Sequence, residues 1–222
     1  MILDKNTFIE NLKKYLSSSN LPGVEAQLKM SPNVRNPYFE SQVPSENSIN
    51  AAVLILIISH ENSLKTVLIK RPEYNGAHSG QISFPGGKTE KTDKNIFYTA
   101  LREANEEIGI NSENIEIIGS LTTLYVPVSN ICIYPVIGFV NESISYNINQ
   151  EEVAEVIETN IETLLDIKNI NKMSFTTNNF EITAPYYNVQ NNKVWGATAM
   201  IISELLEVFK KSATPDFDTG TP

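Results

Sequence analysis

The chain has 222 residues, 41% of them hydrophobic, and carries a formal net charge of −9. It is long enough for one large domain with a full core, and its acidity, with only Arg35, Arg71 and Arg102 as arginines, argues against nucleic-acid binding through a basic surface. No run approaches the ~18 apolar residues that a membrane-crossing helix needs, and the start, MILDKNTFIENLKKYL, lacks the basic-then-apolar pattern of a secretory signal.

In chain order, the first segment reads as an amphipathic helix with Phe8, Leu12, Tyr15 and Leu16 as its apolar stripe, and Thr7 with Glu10 as a possible capping box. That helix is expected to pack on its own domain or on a second copy, which would give a homodimer. Residues 20–47 are rich in Pro, Asn and Ser and read as a long connection. AAVLILIIS (51–59) and KTVLIKR (65–71) read as strands joined by a polar turn that holds His60. The loop 72–80 leads to a short strand ending at Phe84. A helix is expected over roughly 95–108, then strands near 114–125 and 131–141, a strand-like stretch 152–158, and a short helix at Ile161–Leu165. Strands near 173–178 and 181–188 precede a final helix, 197–211, and the tail 212–222 is expected to be mobile. Residues 1–47 thus form a helical extension and connection, and 48–211 the main domain. Lone Cys132, in an apolar strand-like run, reads as a small core residue, and a cytoplasmic setting follows from the absence of cysteine pairs. Helices interspersed among strands imply an α/β or α+β sandwich around a mixed sheet.

The segment Gly86–Ile110, GGKTEKTDKNIFYTALREANEEIGI, concentrates the chemistry. Each helical residue turns about 100°, so Glu103, Glu106 and Glu107 fall on one face. Phe97, Leu101, Ala104 and Ile108 recur on another, as a core-facing stripe. Carboxylates this close repel one another unless cations balance them. Hard divalent ions with a preference for oxygen, Mg2+ or Mn2+, suit them; the plainer alternative is a solvated acidic face. Gly86 and Gly87 supply a tight bend where bare backbone approaches a ligand, and Gly109 stands where a helix C-cap belongs.

These residues resemble the Nudix box. Arg102, Glu103, Ala104, Glu106, Glu107, Gly109 and Ile110 match its second half position by position. In the first half the spacing from Gly87 to Arg102 is one residue longer than usual, and Asp93, one residue early, is the nearest acid, with Glu90 behind it. The longer box is similar to that of the coenzyme A diphosphatases. LIKRPEYNGAHSGQISFPGG (Leu68–Gly87) resembles that subgroup's signature through Arg71, Gly80, Phe84, Pro85, Gly86 and Gly87, although Pro72 and Gly76 depart from it. VWGATAMII (Val194–Ile202) is similar to the subgroup's closing helix.

The resemblance implies an α/β/α Nudix sandwich and a metal-dependent pyrophosphohydrolase acting on a small nucleotide-containing substrate. Its substrate would be coenzyme A or acyl-CoA, cleaved to 3′,5′-ADP and 4′-phosphopantetheine or its acyl derivative. ADP-ribose, another dinucleotide or a nucleoside triphosphate is the alternative substrate, and a noncatalytic nucleotide sensor the alternative class. Glu103, Glu106 and Glu107, with a backbone carbonyl of Gly86 or Gly87, are the expected metal ligands. Arg102 is expected to orient a carboxylate of its own helix or Asp93, or else to form a surface ion pair. The general base is a helix glutamate or an acid from the later loop, Glu152 or Glu155. Arg71, His78, Ser79, Gln81 and Lys88 are candidates for substrate contacts, and Tyr74, Phe84, Tyr125 and Trp195 for stacking on adenine or for the core.

Overall fold

The computed structural model describes residues 5–18, 20–33, 43–60, 63–73, 79–177 and 180–214. Two helices come first, α1 (Lys5–Leu16) and α2 (Gly23–Leu28). The main sheet is built from β1 (Ile49–His60), β2 (Ser63–Lys70), β3 (Ile82–Ser83), β4 (Gly86–Lys88), β5 (Glu116–Ser120), β6 (Leu124–Val126), β7 (Ile131–Val140) and β8 (Glu155–Asn160). Helix α3 (Ile96–Ile108) lies between β4 and β5, and α4 (Ile161–Leu165) follows β8. A three-stranded antiparallel sheet, β9 (Ile170–Thr177), β10 (Phe180–Val189) and β11 (Asn192–Trp195), precedes α5 (Gly196–Ser212).

Strand order in the main sheet is β3-β2-β1-β7-β5, with β4 also pairing β1, β6 pairing β7 and β8 pairing β2. The β1–β7 pair is parallel, from Ile49↔Ile131 to Ile58↔Val140, and all other pairs are antiparallel, so the sheet is mixed. The near-continuous apolar run of β1 follows from its central place, covered on both faces. Ile55 and Ile57 point to a core shared with α1 and α5, whereas Ala52, Leu54, Leu56 and Ile58 point to a second core against α3. This is the α/β/α sandwich expected from the sequence. Cys132 is buried in β7.

Helix α1 packs on α5 of the same chain. Phe8 and Phe209 rings lie 5.2 Å apart, Asn11 Nδ2 donates to the Ser212 carbonyl at 3.3 Å, and Lys13 reaches Glu116 at 2.9 Å. Thr7 lies inside α1, so it is not the N-cap that a capping box requires. The connection read at 20–47 contains α2, which polarity concealed. Its anchor is a buried carboxylate on α5: Glu204 accepts hydrogen bonds from Gly23 N (3.1 Å), Thr122 N (3.2 Å) and Gln27 Nε2 (2.8 Å). Ser203 Oγ adds a bond to the Ala26 carbonyl at 2.7 Å. The strand expected over 114–125 is two strands, β5 and β6, broken at residues 121–123, where Leu121 N and Thr122 N donate to Pro135 O and Glu204 instead. Tail residues 215–222 lie outside the described residues.

Candidate active site

Glycine is obligatory at the bend before α3. Strand β4 runs antiparallel to β1 with Val53 opposite Gly86 and Ala52 opposite Gly87. Gly86 has φ +152°, and a Cβ there would run into the Ala52 carbonyl and the Val53 Cα. A Cβ on Gly87 would run into the carboxylate of Glu103. Bare backbone therefore meets the acidic helix at van der Waals range.

Helix α3 begins where the Asn95 side chain accepts a hydrogen bond from Tyr98 N at 2.9 Å, and ends at Gly109 with φ +66°. Its buried residues are Thr99, Ala100, Ala104, Glu107 and Ile108. The stripe read from the sequence is thus corrected at one position: Phe97 is exposed, and Ala100 takes the inner place. Two alanines let the helix sit close on the sheet, and that closeness carries Glu107 inward.

The three glutamates have distinct surroundings. Glu107 is 1% exposed, accepts the Gly86 N–H at 2.8 Å, and lies 4.0 Å from Arg71 Nη2. Glu103 packs on Gly87 and pairs with Arg102 Nη2 at 3.0 Å. Glu106 points outward and pairs with Arg102 Nη1 at 2.9 Å. Arg102 also grips Asp93 with two bonds, Nε–Oδ1 at 2.9 Å and Nη2–Oδ2 at 3.1 Å, and donates to the Lys88 carbonyl at 3.1 Å. Asp93 further accepts from Glu90 N and Thr99 Oγ1. The acid that sits one residue early in the sequence is therefore the partner of Arg102.

These surroundings set the proton affinities. The Arg102 guanidinium holds the Asp93 carboxyl well below the usual carboxylate range. Burial pushes Glu107 up to about 7, with the charges of Glu103 and Glu152 adding, against the Gly86 N–H and Arg71. Burial also raises Glu103, opposed by Arg102 and reinforced by Glu106 and Glu152. Among the described residues no three carboxylate, imidazole or thiol groups form a finished ion cage. Arginines and a backbone N–H currently hold the carboxylates. Oxygen donors that repel one another beside bare glycine backbone are nonetheless the chemistry that suits a hard divalent ion.

The remaining sequence candidates fall around this centre or away from it. Lys88 is exposed at the end of β4. Arg71 N donates to the Gln81 carbonyl at 3.0 Å, which joins two candidates of the upstream motif, and the Arg71 side chain reaches toward Glu107. Ser79 and Gly80 form a turn near them, and Gly80 N donates to the Pro72 carbonyl. His78 and Tyr74 lie outside the described residues. Glu152 lies in an exposed turn, and Glu155 starts β8 opposite Lys70. Phe84 is buried in the core on the α5 side, which removes it as a stacking surface. Tyr125 bonds Asn130, and Trp195 packs edge-on against Phe175 at 5.3 Å. The sequence reading missed Asn147 and Asn149, whose backbone N–H groups donate to the Ile108 and Glu107 carbonyls. They sit in a polar stretch with no periodicity to mark them.

The described residues contain no helix long and apolar enough to cross a membrane. Residues 49–178 match the NUDIX domain model. A protein named uncharacterized Nudix hydrolase NudL, from Pectobacterium atrosepticum, is 33% identical over 181 residues, covering 81% of this chain and 88% of its own. Its namesake from an Enterobacter species is 35% identical over 159 residues, covering 72% of this chain and 82% of its own. Among solved structures, a MutT/nudix family protein from Enterococcus faecalis aligns over 95% of this chain and 76% of its own, at 18% identity and a TM-score of 0.47. The matched domain and the NudL relatives make the chain a member of the Nudix hydrolases, pyrophosphohydrolases that work with divalent metal ions.

Proposed function

We propose that this enzyme hydrolyses the diphosphate of coenzyme A or acyl-CoA, with Mg2+ or Mn2+, giving 3′,5′-ADP and 4′-phosphopantetheine or its acyl derivative. The observation that carries the substrate assignment is the upstream motif Leu68–Gly87. Its arginine, Arg71, comes within 4.0 Å of Glu107 and its closing glycines form the bend under Glu103. A motif that resembles the subgroup's signature is thus physically joined to the acidic helix.

In this reading Glu103, Glu106 and Glu107, with the Gly87 backbone, hold the metal. When bound, the ions neutralise the diphosphate oxygens and lower the pKa of a coordinated water. Arg102, fixed by Asp93, orients Glu103 and Glu106. Glu152 takes the proton from the attacking water. Arg71, Lys88, Gln81 and His78 meet the substrate; the two cations balance phosphate charge. The buried lone cysteine fits a cytoplasmic setting.

A substrate panel with Mg2+, followed by phosphorus NMR, tests the assignment. Coenzyme A or an acyl-CoA is expected to turn over faster than ADP-ribose, dinucleoside polyphosphates and nucleoside triphosphates. Equal or faster turnover of ADP-ribose would overturn it. Glu106→Gln is expected to lower turnover by orders of magnitude in a folded protein, and full activity would remove it from the metal site.

A further inference from the structure

The segment around the turn at residues 149–152 bridges the end of α3, which carries Glu107, and the end of β2, next to Arg71. On one side, Asn149 N donates to the carbonyl of Glu107 itself (3.0 Å), and Asn147 N donates to Ile108 O (2.9 Å). These carbonyls, in the last turn of α3, have no partner within the helix. Asn147 also packs so tightly on Gly109 that a Cβ there would overlap it. On the other side, Ala154 N donates to Lys70 O at 2.8 Å, one residue before Arg71. Between these anchors Val153 is fully buried against the Ala100–Ala104 face of α3.

Within this splice Asn149 uses every polar group it has. Its backbone N–H holds Glu107 O, its backbone carbonyl accepts from Glu152 N (3.1 Å) and Val153 N (2.9 Å), and its Oδ1 accepts from Glu151 N (3.2 Å). Its Nδ2 donates to Glu152 Oε1 at 3.2 Å. We propose that Asn149 is a positioning residue for hydrolysis: it ties the turn to the end of the acidic helix and aims the Glu152 carboxylate at the reacting water. The backbone bond from Asn149 N to Glu107 O sets this turn against the end of the acidic helix, and Asn149 holds Glu152 at both the Glu152 backbone N–H and the Glu152 side chain. The inference rests on Glu152 as the base, and is independent of which diphosphate is the substrate.

The geometry makes the side-chain amide the only donor that the turn offers to Glu152 from Asn149, so removing it frees the carboxylate without removing it. The test is a double-mutant cycle of Asn149→Ala and Glu152→Gln, assayed on whichever diphosphate the wild type cleaves fastest, with thermal melts of each variant. Asn149→Ala is expected to lower kcat about 10-fold with KM within about twofold, consistent with a group that acts through a proton-transfer residue. In the Glu152→Gln background the same change is expected to cost less than twofold, because there is no base left to aim. A second variant, Asn149→Asp, keeps the size and the Glu151 contact but sets a like charge against Glu152. It should raise the pH at which kcat reaches half-maximum on the acidic limb. Equal losses from Asn149→Ala in both backgrounds, or full activity of Glu152→Gln, would overturn the proposal. If every diphosphate but coenzyme A is cleaved and the cycle is still non-additive, the substrate reading fails and this one stands.

Discussion

Glu107 gives the sharpest prediction because its surroundings oppose stability, while the proposed function makes it a metal ligand. In the metal-free protein it is a nearly inaccessible carboxylate whose pKa stands at about 7 against an ordinary 4.5. The folded state binds this proton more tightly than the unfolded state, so between those two values stability falls as pH rises. The full cost above neutral pH is about 3 kcal/mol. Glu107→Gln keeps an oxygen to accept from Gly86 N–H and removes the charge, while forfeiting the attraction of Arg71. A net gain of about 1–3 kcal/mol is expected at pH 8.5, or roughly 3–8 °C in Tm. Near pH 4.5 the gain should vanish. The assay is a set of thermal melts across pH in chelator. Added Mg2+ should raise the Tm of the wild type more than that of the variant, and the variant should lose turnover by orders of magnitude. A variant that melts at or below the wild type at pH 8.5 without metal would refute the account of Glu107 as a strained, desolvated charge.

Asp93→Asn should lower Tm at neutral pH and flatten the acid limb of the stability profile. In the wild type the Asp93 contribution is full above about pH 3.8 and is lost as pH falls toward its depressed pKa, as pH-dependent melts would record. The two glycines of the bend should separate in kind. Gly86→Ala meets rigid backbone at a positive φ and should cost more than about 3 kcal/mol in urea unfolding, whereas Gly87→Ala meets a side chain, should cost less, and should lose activity as Glu103 is displaced. Glu204→Ala leaves the Gly23 and Thr122 N–H groups without their acceptor and the Gln27 amide with the Thr122 carbonyl alone, and should cost about 3–5 kcal/mol, with fast hydrogen exchange confined first to α2.

The sequence was most legible where one periodicity dominated. The β1 run, the α3 carboxylates, Gly109 at the helix end and the α1 stripe all sit where spacing placed them, because burial and backbone geometry act there on neighbouring residues. Reading Arg102 as an orienting residue was possible from local spacing, since Asp93 and Glu106 are both near in sequence. Other features rest on contacts between distant segments. Helix α2 is set by Glu204, 177 residues beyond Gln27, and nothing local announces it. Phe97 was assigned inward by its helical spacing with Leu101, Ala104 and Ile108, yet it is exposed, and Ala100 lies with Ala104 where α3 fits closely on the sheet. Asn149 was invisible because its backbone N–H meets the end of a helix that lies far earlier in the chain.

The anchoring of α2 has a practical corollary. A shortened protein beginning at residue 48 would retain all of the family-matched stretch, 49–178, together with every acidic candidate. It would also strip three of the four groups that engage Glu204 and Ser203, and lay bare Leu205, Leu206 and Phe209, which α1 and its neighbours cover. Such a fragment should aggregate on expression although its chemistry is intact. The stretch that the domain model matches and the stretch that covers this core are, for this enzyme, two different lengths of chain.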